Sequence, residues 1–376
     1  MKITASLCII ASLLFTVSEA ALTGTWPTVD KPPPPVASWT ALVDQTKVAK
    51  APLVAAADVG IKCPTTDTYC NWSCTGCTRP ESDVVKCPTQ GDWGITFDDG
   101  PTEFTPALLD FLLKQNIKVT FFVIGSRVIE NPQTLQREVK DGHQIGVHTW
   151  SHTALTTQTN EEIIAEIKWT EMAIKQATGL TPKYMRPPYG DVDDRVRAIL
   201  QQLGYMIVIW DKDTNDWISG DDKTFDISWV EGNFTEWVKE NDPTGHISLE
   251  HDLYNQTAAQ GPKVVPIVEG AGFTIKPVYQ CVGDQNAYLE STTQTDTTTT
   301  TDNTGTTTPA SAADTTTDSA ATSPGGTQYL QSPSPSADAT SPTTTKTSNA
   351  ISHINNSFNN LLLLFVLSIL GYFMGI

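Results

Sequence analysis

Segments typical of strands alternate with segments typical of helices from about residue 90 to about residue 285, and this alternation limits the possible folds most strongly. Residues 118–124 are β-branched and aromatic, whereas residues 105–115 carry leucines at helical spacing. Repeated strand–helix units imply parallel strands with right-handed crossovers. Polar motifs follow the strands, and no glycine-rich dinucleotide loop follows the first one. We therefore predict an α/β fold, an incomplete or distorted (β/α) barrel with its active site at the C-terminal rim of the strands, rather than an open doubly wound sheet.

Composition divides the chain into five stretches. The α/β domain is flanked by a cysteine-rich extension on one side and by a Thr/Ser/Pro-rich stretch on the other. The latter has almost no apolar content and cannot form a core, so we predict an O-glycosylated stalk, with disordered filler as the alternative. The predicted stretches are a signal peptide (1–20), an extension (21–89), the α/β domain (90–285), a stalk (286–348) and an anchor signal (349–376).

Both ends of the chain carry targeting patterns. Lys2 precedes a short apolar run that ends in small residues, which is typical of a cleaved signal peptide. At the other end, three small residues precede a polar spacer and an apolar tail. We predict a secreted protein with a GPI anchor attached at Ser348 or Asn349, which would bind it to the plasma membrane. The alternative is a plain C-terminal membrane helix, although the tail is short for one.

Six cysteines remain after removal of the signal peptide. An even number of cysteines in a secreted chain predicts three disulfides. A zinc knuckle is the alternative for the cluster between residues 70 and 77. The pairing stays open from the sequence, but we expect Cys281 to bind a cysteine ahead of the first strand, which would join the ends of the domain. The six are Cys63, Cys70, Cys74, Cys77, Cys87 and Cys281.

The predicted surface is acidic and glycosylated. The net charge of −18 argues against nucleic acid as a partner, because nucleic acid requires a basic face. The same charge suits a neutral or cationic partner. Asn71, Asn233 and Asn255 begin Asn-x-Ser/Thr sequons and are expected to carry glycans.

Two acidic residues and two histidines form a candidate metal site. Asp98 and Asp99 are adjacent, so one carboxylate can bind a metal while the other accepts a proton. His148 and His152 can converge if the segment between them coils. Alone, the aspartates would suggest a solvated turn and the histidines a surface pair. Together they supply the three ligands of a catalytic zinc site with an open position, and cobalt is the second choice of metal.

Five motifs in fixed order give the chain a resemblance to a known family. Each is weak alone, but the ordered set covers residues 96–252 and is specific. The chain resembles the polysaccharide deacetylases, which include chitin deacetylases, peptidoglycan deacetylases and acetylxylan esterases. The motifs are Thr96-Phe97-Asp98-Asp99-Gly100-Pro101, His148-Thr149-Trp150-Ser151-His152, Arg186-Pro187-Pro188-Tyr189-Gly190, Asp213-Thr214-Asn215-Asp216-Trp217 and Leu249-Glu250-His251-Asp252.

The resemblance implies a role for each member of the metal site. Asp99, His148 and His152 would be the metal ligands. Asp98 would be the general base that takes a proton from the attacking water. Arg186 would pair with Asp98 and keep it ionised, although an ordinary salt bridge at the barrel rim is the alternative.

The same resemblance implies further site residues. His251 would be the general acid that protonates the leaving amine. Asp216 would orient the His251 imidazole, with Asp213 as the alternative. The backbone N–H of Tyr189 would help to stabilise the oxyanion, and the side chains of Tyr189 and Trp150 are expected to contact sugar rings.

Two apolar residues complete the predicted site. Trp217 and Leu249 would line an apolar slot for the acetyl methyl group, a reading that is compatible with plain core packing. The cysteine-rich segment from Cys63 to Cys87 is either a small carbohydrate-binding module or a disulfide-stapled extension packed on the barrel.

The implied activity is that of a metal-dependent chitin deacetylase. It would hydrolyse the N-acetyl groups of N-acetylglucosamine units in chitin and give chitosan and acetate. We expect a monomer that acts on cell-wall polysaccharide, because stalk and anchor patterns fit cell-wall enzymes of fungi. The alternatives are the same chemistry on another polysaccharide, such as acetylated xylan, and a non-catalytic wall-binding glycoprotein.

Overall fold

The computed structural model describes residues 21–290 of the chain. The predicted signal peptide, anchor signal and nearly all of the predicted stalk lie outside these residues. Within residues 21–290, no helix combines the length and the apolar character that a membrane crossing needs.

Nine parallel strands form one sheet in the described part of the chain. Along the sheet the order is β1-β6-β5-β4-β3-β2-β8-β7, and β9 pairs with β2. The two end strands of this path, β1 and β7, are not paired with each other, so the sheet forms an open barrel rather than a closed one, as predicted. The strands are β1 (Asp83–Val84), β2 (Asp92–Asp98), β3 (Thr120–Val123), β4 (Gln144–Val147), β5 (Tyr184–Met185), β6 (Met206–Val208), β7 (Lys212–Asp213), β8 (His246–His251) and β9 (Thr274–Ile275).

Helices connect the strands. The predicted helix over 105–115 is confirmed with the same bounds. The α-helices of the described residues are α1 (Ala37–Thr40), α2 (Trp72–Thr75), α3 (Thr105–Gln115), α4 (Gly125–Glu130), α5 (Pro132–Lys140), α6 (Asn160–Thr178), α7 (Asp194–Gln202), α8 (Ile218–Asp221), α9 (Trp229–Trp237), α10 (Asn255–Ala258), α11 (Gly261–Gly270) and α12 (Val278–Cys281). Short 3-10 helices cover Gln45–Lys47, Ala56–Asp58, Leu155–Thr157 and Pro188–Gly190.

The start of α6 differs from the sequence prediction. Asn160 is a residue type common at N-caps and the sequence favours it as the cap of α6, but this prediction is wrong, because Asn160 is the first helical residue and the N-cap is Thr159. Thr159 Oγ1 accepts a hydrogen bond from the N–H of Glu162, and the Glu162 carboxylate accepts one from the N–H of Thr159. This reciprocal capping box satisfies two N–H groups, whereas the side chain of a single Asn cap would satisfy one.

Two apolar clusters stabilise the barrel. The larger cluster packs the strands against the helices and includes Ile95, Phe97 and Leu108. The smaller cluster joins strand residues to α12, with Phe122 and Ile247 among its members. Burial of apolar surface between strands and helices is the main force that stabilises such layers.

Three disulfides join the six cysteines, as predicted. Cys87, which lies between β1 and β2, is bonded to Cys281 and so ties the start of the barrel to its last helix. The other two bonds, Cys63–Cys74 and Cys70–Cys77, staple the segment around α2. The alternative of a zinc knuckle is wrong, because its thiolates are used in these bonds.

Candidate active site

The carboxyl ends of the central strands bring the predicted site residues together. β2 ends at Asp98, and β8, its neighbour in the sheet, ends at His251. His148 directly follows β4, and Arg186 directly follows β5. Because parallel strands end at the same edge of the sheet, residues far apart in sequence face one another there.

Asp99, His148 and His152 form a three-donor cluster. The Nε2 atom of His148 lies 3.5 Å from Asp99 Oδ1, and the Nε2 atom of His152 lies 3.4 Å from the same oxygen. The candidate donor atoms all lie within 4.8 Å of one another. Asp99 Oδ1 is buried and has no hydrogen-bond partner. A buried carboxylate oxygen without a partner is costly, and a cation between these atoms would satisfy it.

The protonation of the two histidines fits metal binding. His148 Nδ1 lies 2.8 Å from the carbonyl oxygen of Arg186, so it carries the proton and donates it. Its Nε2 atom is therefore a lone-pair donor directed at the carboxylates. Burial lowers the pKa of His148 well below its usual value and also lowers the pKa of His152. Both imidazoles are thus neutral at neutral pH, as metal coordination requires.

Asp98 is held by a buried arginine. Nη1 of Arg186 donates to Asp98 Oδ1 at 2.8 Å and to Thr96 Oγ1 at 2.6 Å. Asp98 Oδ2 lies 3.7 Å from Nε2 of His148, so this oxygen faces the three-donor cluster. Burial raises the pKa of Asp98 to about 6, and the charge of Arg186 partly offsets that rise. Asp98 is therefore ionised at neutral pH yet basic enough to accept a proton.

His251 is oriented by a buried carboxylate. Asp216 Oδ1 lies 2.7 Å from His251 Nδ1, and Asp216 Oδ2 accepts a hydrogen bond of 2.9 Å from the His251 backbone N–H. Burial acts to lower the pKa of His251, but Asp216 outweighs it and the pKa rises to about 10. Asp213 instead accepts hydrogen bonds from Trp210 and from the N–H of Asn215. Of the two aspartates, the structure places Asp216 on the histidine.

Strained backbone is concentrated in the motifs. Asp99, Thr149, His152, Tyr189 and Asn215 all have φ between 55° and 79°. Residues other than glycine rarely adopt this left-handed region, and they keep it only where the surroundings fix it. In the first two motifs this backbone turns side chains toward the three-donor cluster.

The predicted substrate contacts lie around this centre with one exception. Tyr189 is 54% exposed, and its hydroxyl lies 3.2 Å from His152 Nδ1. Leu249 is buried on β8 two residues before His251, and Trp217 is half-buried at the start of α8. Trp150 is completely buried, so the prediction that it contacts sugar rings is wrong. Its indole instead stacks on Trp26 and donates from Nε1 to the carbonyl oxygen of Thr28, both in the N-terminal segment.

Three buried or charged side chains at the site escaped the sequence prediction. Arg127 donates to the carbonyl oxygen of Asp99 at 2.6 Å. Asp252 bonds to the Thr105 hydroxyl, and any side chain at Gly100 would collide with its carboxylate. Glu166 accepts hydrogen bonds from the turn that carries the histidines. Asp252 was visible in the fifth motif, but nothing in the local sequence indicates a role for Arg127 or Glu166.

Comparison with known proteins gives one family. Residues 85–208 match the family model described as polysaccharide deacetylase. The chain is 44% identical over 294 residues to chitin deacetylase 1 of Cryptococcus neoformans var. grubii. The aligned region covers 73% of this chain and 62% of the relative. It is 41% identical to the chitin deacetylase of Amylomyces rouxii over 61% of this chain and 56% of the relative. The chain thus spans less than two thirds of the length of these two relatives.

Two further proteins are covered more fully. Chitin deacetylase 1 of Saccharomyces cerevisiae is 37% identical over 59% of this chain and 69% of the relative. Among solved structures, the chitin deacetylase of the fungal pathogen Colletotrichum lindemuthianum matches with a TM-score of 0.52 and 31% identity, over 56% of this chain and 96% of that one.

Proposed function

Because the chain belongs to the polysaccharide deacetylase family, we propose that it is a metal-dependent chitin deacetylase. It would hydrolyse the N-acetyl groups of N-acetylglucosamine units in chitin to give chitosan and acetate. The observation that carries this proposal is the Asp99–His148–His152 cluster beside the Asp98–Arg186 and Asp216–His251 pairs. The relatives named chitin deacetylase support the choice of substrate.

Asp99, His148 and His152 would hold the metal. Two imidazole nitrogens and one carboxylate oxygen form a donor set that suits zinc, with cobalt as a second choice. A bound divalent cation would supply Lewis acidity, which polarises the acetyl carbonyl and makes water a stronger nucleophile at neutral pH.

Asp98 would act as the general base. Arg186 occupies one of its oxygens, which leaves Oδ2 directed at the cluster where the substrate water would lie. This oxygen takes a proton from water as the water oxygen bonds to the acetyl carbon. Arg186 fixes the direction of the carboxylate and keeps it ionised, so the base is ready before the substrate binds.

His251 would act as the general acid. Its Nδ1 faces Asp216, so the opposite nitrogen can deliver a proton to the amide nitrogen as the carbon–nitrogen bond breaks. The products are then a free sugar amine and acetate. Asp216 keeps the imidazole charged and oriented for this transfer.

The remaining site residues would bind the substrate. We assign the Tyr189 backbone N–H to the oxyanion, because its left-handed φ of 60° fixes the direction of this turn at the edge of the cluster. The exposed Tyr189 ring would contact a sugar. Trp217 and Leu249 would form the slot for the acetyl methyl group.

The three disulfides support action outside the cytosol, because structural disulfides form in oxidising compartments. We propose a secreted enzyme that works at the cell wall. Attachment through a GPI anchor at Ser348 or Asn349 remains a prediction about residues outside the described part of the chain.

Acetate release tests the proposal. The secreted protein is incubated with chitin oligomers, with and without a chelator, and zinc or cobalt is then returned. We expect release that the chelator stops and the metal restores. Release from acetylated xylan but not from chitin would contradict the substrate. Binding of chitin without release of acetate from any acetylated polysaccharide would contradict catalysis and favour a wall-binding protein.

A further inference from the structure

We propose that Trp72, on the disulfide-stapled segment of residues 63–77, is a positioning residue for the turn that carries Arg186 and Tyr189. The inference rests on the proposed function and extends its machinery to a part of the chain that precedes residues 85–208, the family-model match. Trp72 begins α2, and its indole lies partly buried at the same rim as the active site.

The first observation is the contact between this segment and the turn. The backbone N–H of Trp72 donates to the carbonyl oxygen of Val192 at 3.0 Å. Its indole ring lies so close to Gly190 that any side chain at this glycine would collide with it. The next residue, Ser73, donates from Oγ to Asp191 Oδ1 at 2.9 Å. Trp72 and Ser73 therefore contact all three of the residues that directly follow Tyr189 in the chain.

A second route runs from Trp72 to the proposed base. The rings of Trp72 and Trp210 make an edge-on contact with centroids 4.8 Å apart. The guanidinium of Arg186 lies 5.4 Å from the centroid of the Trp210 ring, and Arg186 binds Asp98. Cation–aromatic and edge-to-face contacts of this kind restrict the positions of both partners.

The segment itself is rigidly attached to the barrel. Disulfides Cys63–Cys74 and Cys70–Cys77 enclose Trp72 on both sides. The buried guanidinium of Arg197 donates to the carbonyl oxygens of Cys70 and Cys77 at 2.5 and 3.0 Å. These contacts support a stapled wall of the active site rather than a separate carbohydrate-binding module.

Loss of this wall has a specific consequence for Tyr189. Its φ of 60° is unfavourable for a side chain and persists only where neighbours determine it. Gly190 and Asp191 donate backbone hydrogen bonds to Pro187 and Pro188 within the same turn. Without the Trp72 indole, the turn is no longer packed on that side. These hydrogen bonds should therefore open more often, and the Tyr189 backbone should leave its left-handed conformation.

Hydrogen exchange measured by mass spectrometry tests the positioning directly. Exchange in peptides that cover residues 186–192 is compared among the unmodified protein, Trp72→Ala and Trp72→Phe. We expect about tenfold faster exchange in Trp72→Ala and a largely restored rate in Trp72→Phe. The matched control is Trp237→Ala, a partly buried tryptophan on α9, which should leave this peptide unchanged. Unchanged exchange in Trp72→Ala would overturn the proposal.

Kinetics on chitin oligomers separates positioning from sugar binding. Trp72→Ala should lower kcat by about tenfold or more through misplacement of the reacting groups, with bound zinc unchanged and with a smaller change in KM than in kcat. A raised KM at unchanged kcat would overturn the proposal, because the indole would then bind sugar directly. Trp72→Leu, which keeps apolar bulk, replaces Trp72→Ala if the latter is not secreted. If the unmodified protein releases no acetate, the proposed function fails, while the exchange experiment still decides the positioning.

Discussion

At the residue scale, the adjacent carboxylates of Asp98 and Asp99 serve different purposes because their backbone conformations direct the two side chains to different places. Asp98 closes β2 in extended conformation, whereas Asp99 has a φ of 79°. Asp98 therefore faces Arg186 and the barrel interior, while Asp99 Oδ1 faces the two histidines. One carboxylate is available for proton transfer and the other for a cation.

This division predicts the effects of two matched substitutions. Asp98→Asn should lower kcat by about 10²- to 10⁴-fold, because the amide cannot accept the proton, and zinc should remain bound. Asp99→Asn should instead weaken zinc binding, because it removes a charged ligand. Acetate release and zinc content by elemental analysis distinguish the two. Full activity in Asp98→Asn would refute its assignment as the base.

The choice between Asp213 and Asp216 is also testable. Asp216→Asn removes the charge that keeps His251 protonated, so kcat should fall by about 100-fold at nearly constant KM. Asp213→Asn should leave kcat within a few-fold, because its carboxylate contacts Trp210 and Asn215 rather than the histidine. Steady-state kinetics of both variants decide the matter. Equal losses would show that Asp213 acts on the histidine as well.

The residues proposed to act on the substrate could be predicted from the sequence more easily than the residues that position them. His148 and His152 could be predicted because their spacing and the strand before them are local features. Arg127 and Trp72 could not, because neither belongs to a catalytic motif and each reaches the site only through tertiary contacts. Trp150 was mispredicted because a motif shows proximity to a site but not whether the side chain faces the cleft or the core.

At the element scale, helix α6 supports the histidine turn through one buried carboxylate. Glu166 accepts hydrogen bonds from the N–H groups of Trp150 and Ser151 at 2.7 and 2.9 Å, and from the Ser151 hydroxyl at 2.5 Å. It also accepts one of 3.1 Å from the Gln158 amide. A single helix residue thus fixes the turn between the two proposed histidine ligands.

Glu166→Gln should therefore weaken zinc binding by about 10- to 100-fold. The amide presents an NH₂ group to donors that need an acceptor, so the turn loses at least one hydrogen bond. Titration of zinc against a competing chelator measures the change. The control is Glu161→Gln, an exposed carboxylate on the same helix. Similar affinities in both variants would mean that Glu166 does not orient the ligands.

Elements with a periodic apolar pattern were predictable, whereas strand β7 and helix α4 were not. The apolar spacing of α3 made this helix predictable, because Leu108, Leu109 and Leu112 form its buried face, although Leu113 is exposed. Strand β7 has two residues, and it forms only because β8 provides a neighbour. Helix α4 starts at a glycine, which a helix rarely favours, and packing against α6 stabilises it. Tertiary contacts decide such elements, so their residues carry little local signal.

At the scale of the whole molecule, the end of the described chain is fastened to the barrel by an ionic contact. Glu290 contacts Lys175 of α6 and accepts hydrogen bonds of 2.7 and 2.8 Å from the N–H and hydroxyl of Thr181. Burial acts to raise the pKa of Glu290, but these partners outweigh it and lower the pKa to about 2.

The lowered pKa predicts a pH-dependent stability difference. A carboxylate with a folded-state pKa below its usual value of 4.5 stabilises the folded state above that value. The contribution is lost as the pH falls through about 4.5 toward about 2. The Tm difference between the unmodified protein and Glu290→Gln should thus be largest near neutral pH and shrink toward pH 2. A difference that is independent of pH would contradict this reading.

The covalent link between the two ends of the barrel should contribute more stability than the staples of the extension. Cys87–Cys281 spans 194 residues, whereas Cys63–Cys74 spans 11. By loop-closure entropy, removal of the long link should cost about 5 kcal/mol of unfolding free energy and removal of the short one about 3 kcal/mol. Paired Cys→Ala substitutions at each bond, followed by denaturant unfolding, measure both. A larger cost for the short link would show that native packing around α2, rather than chain entropy, determines what these two bonds contribute to stability.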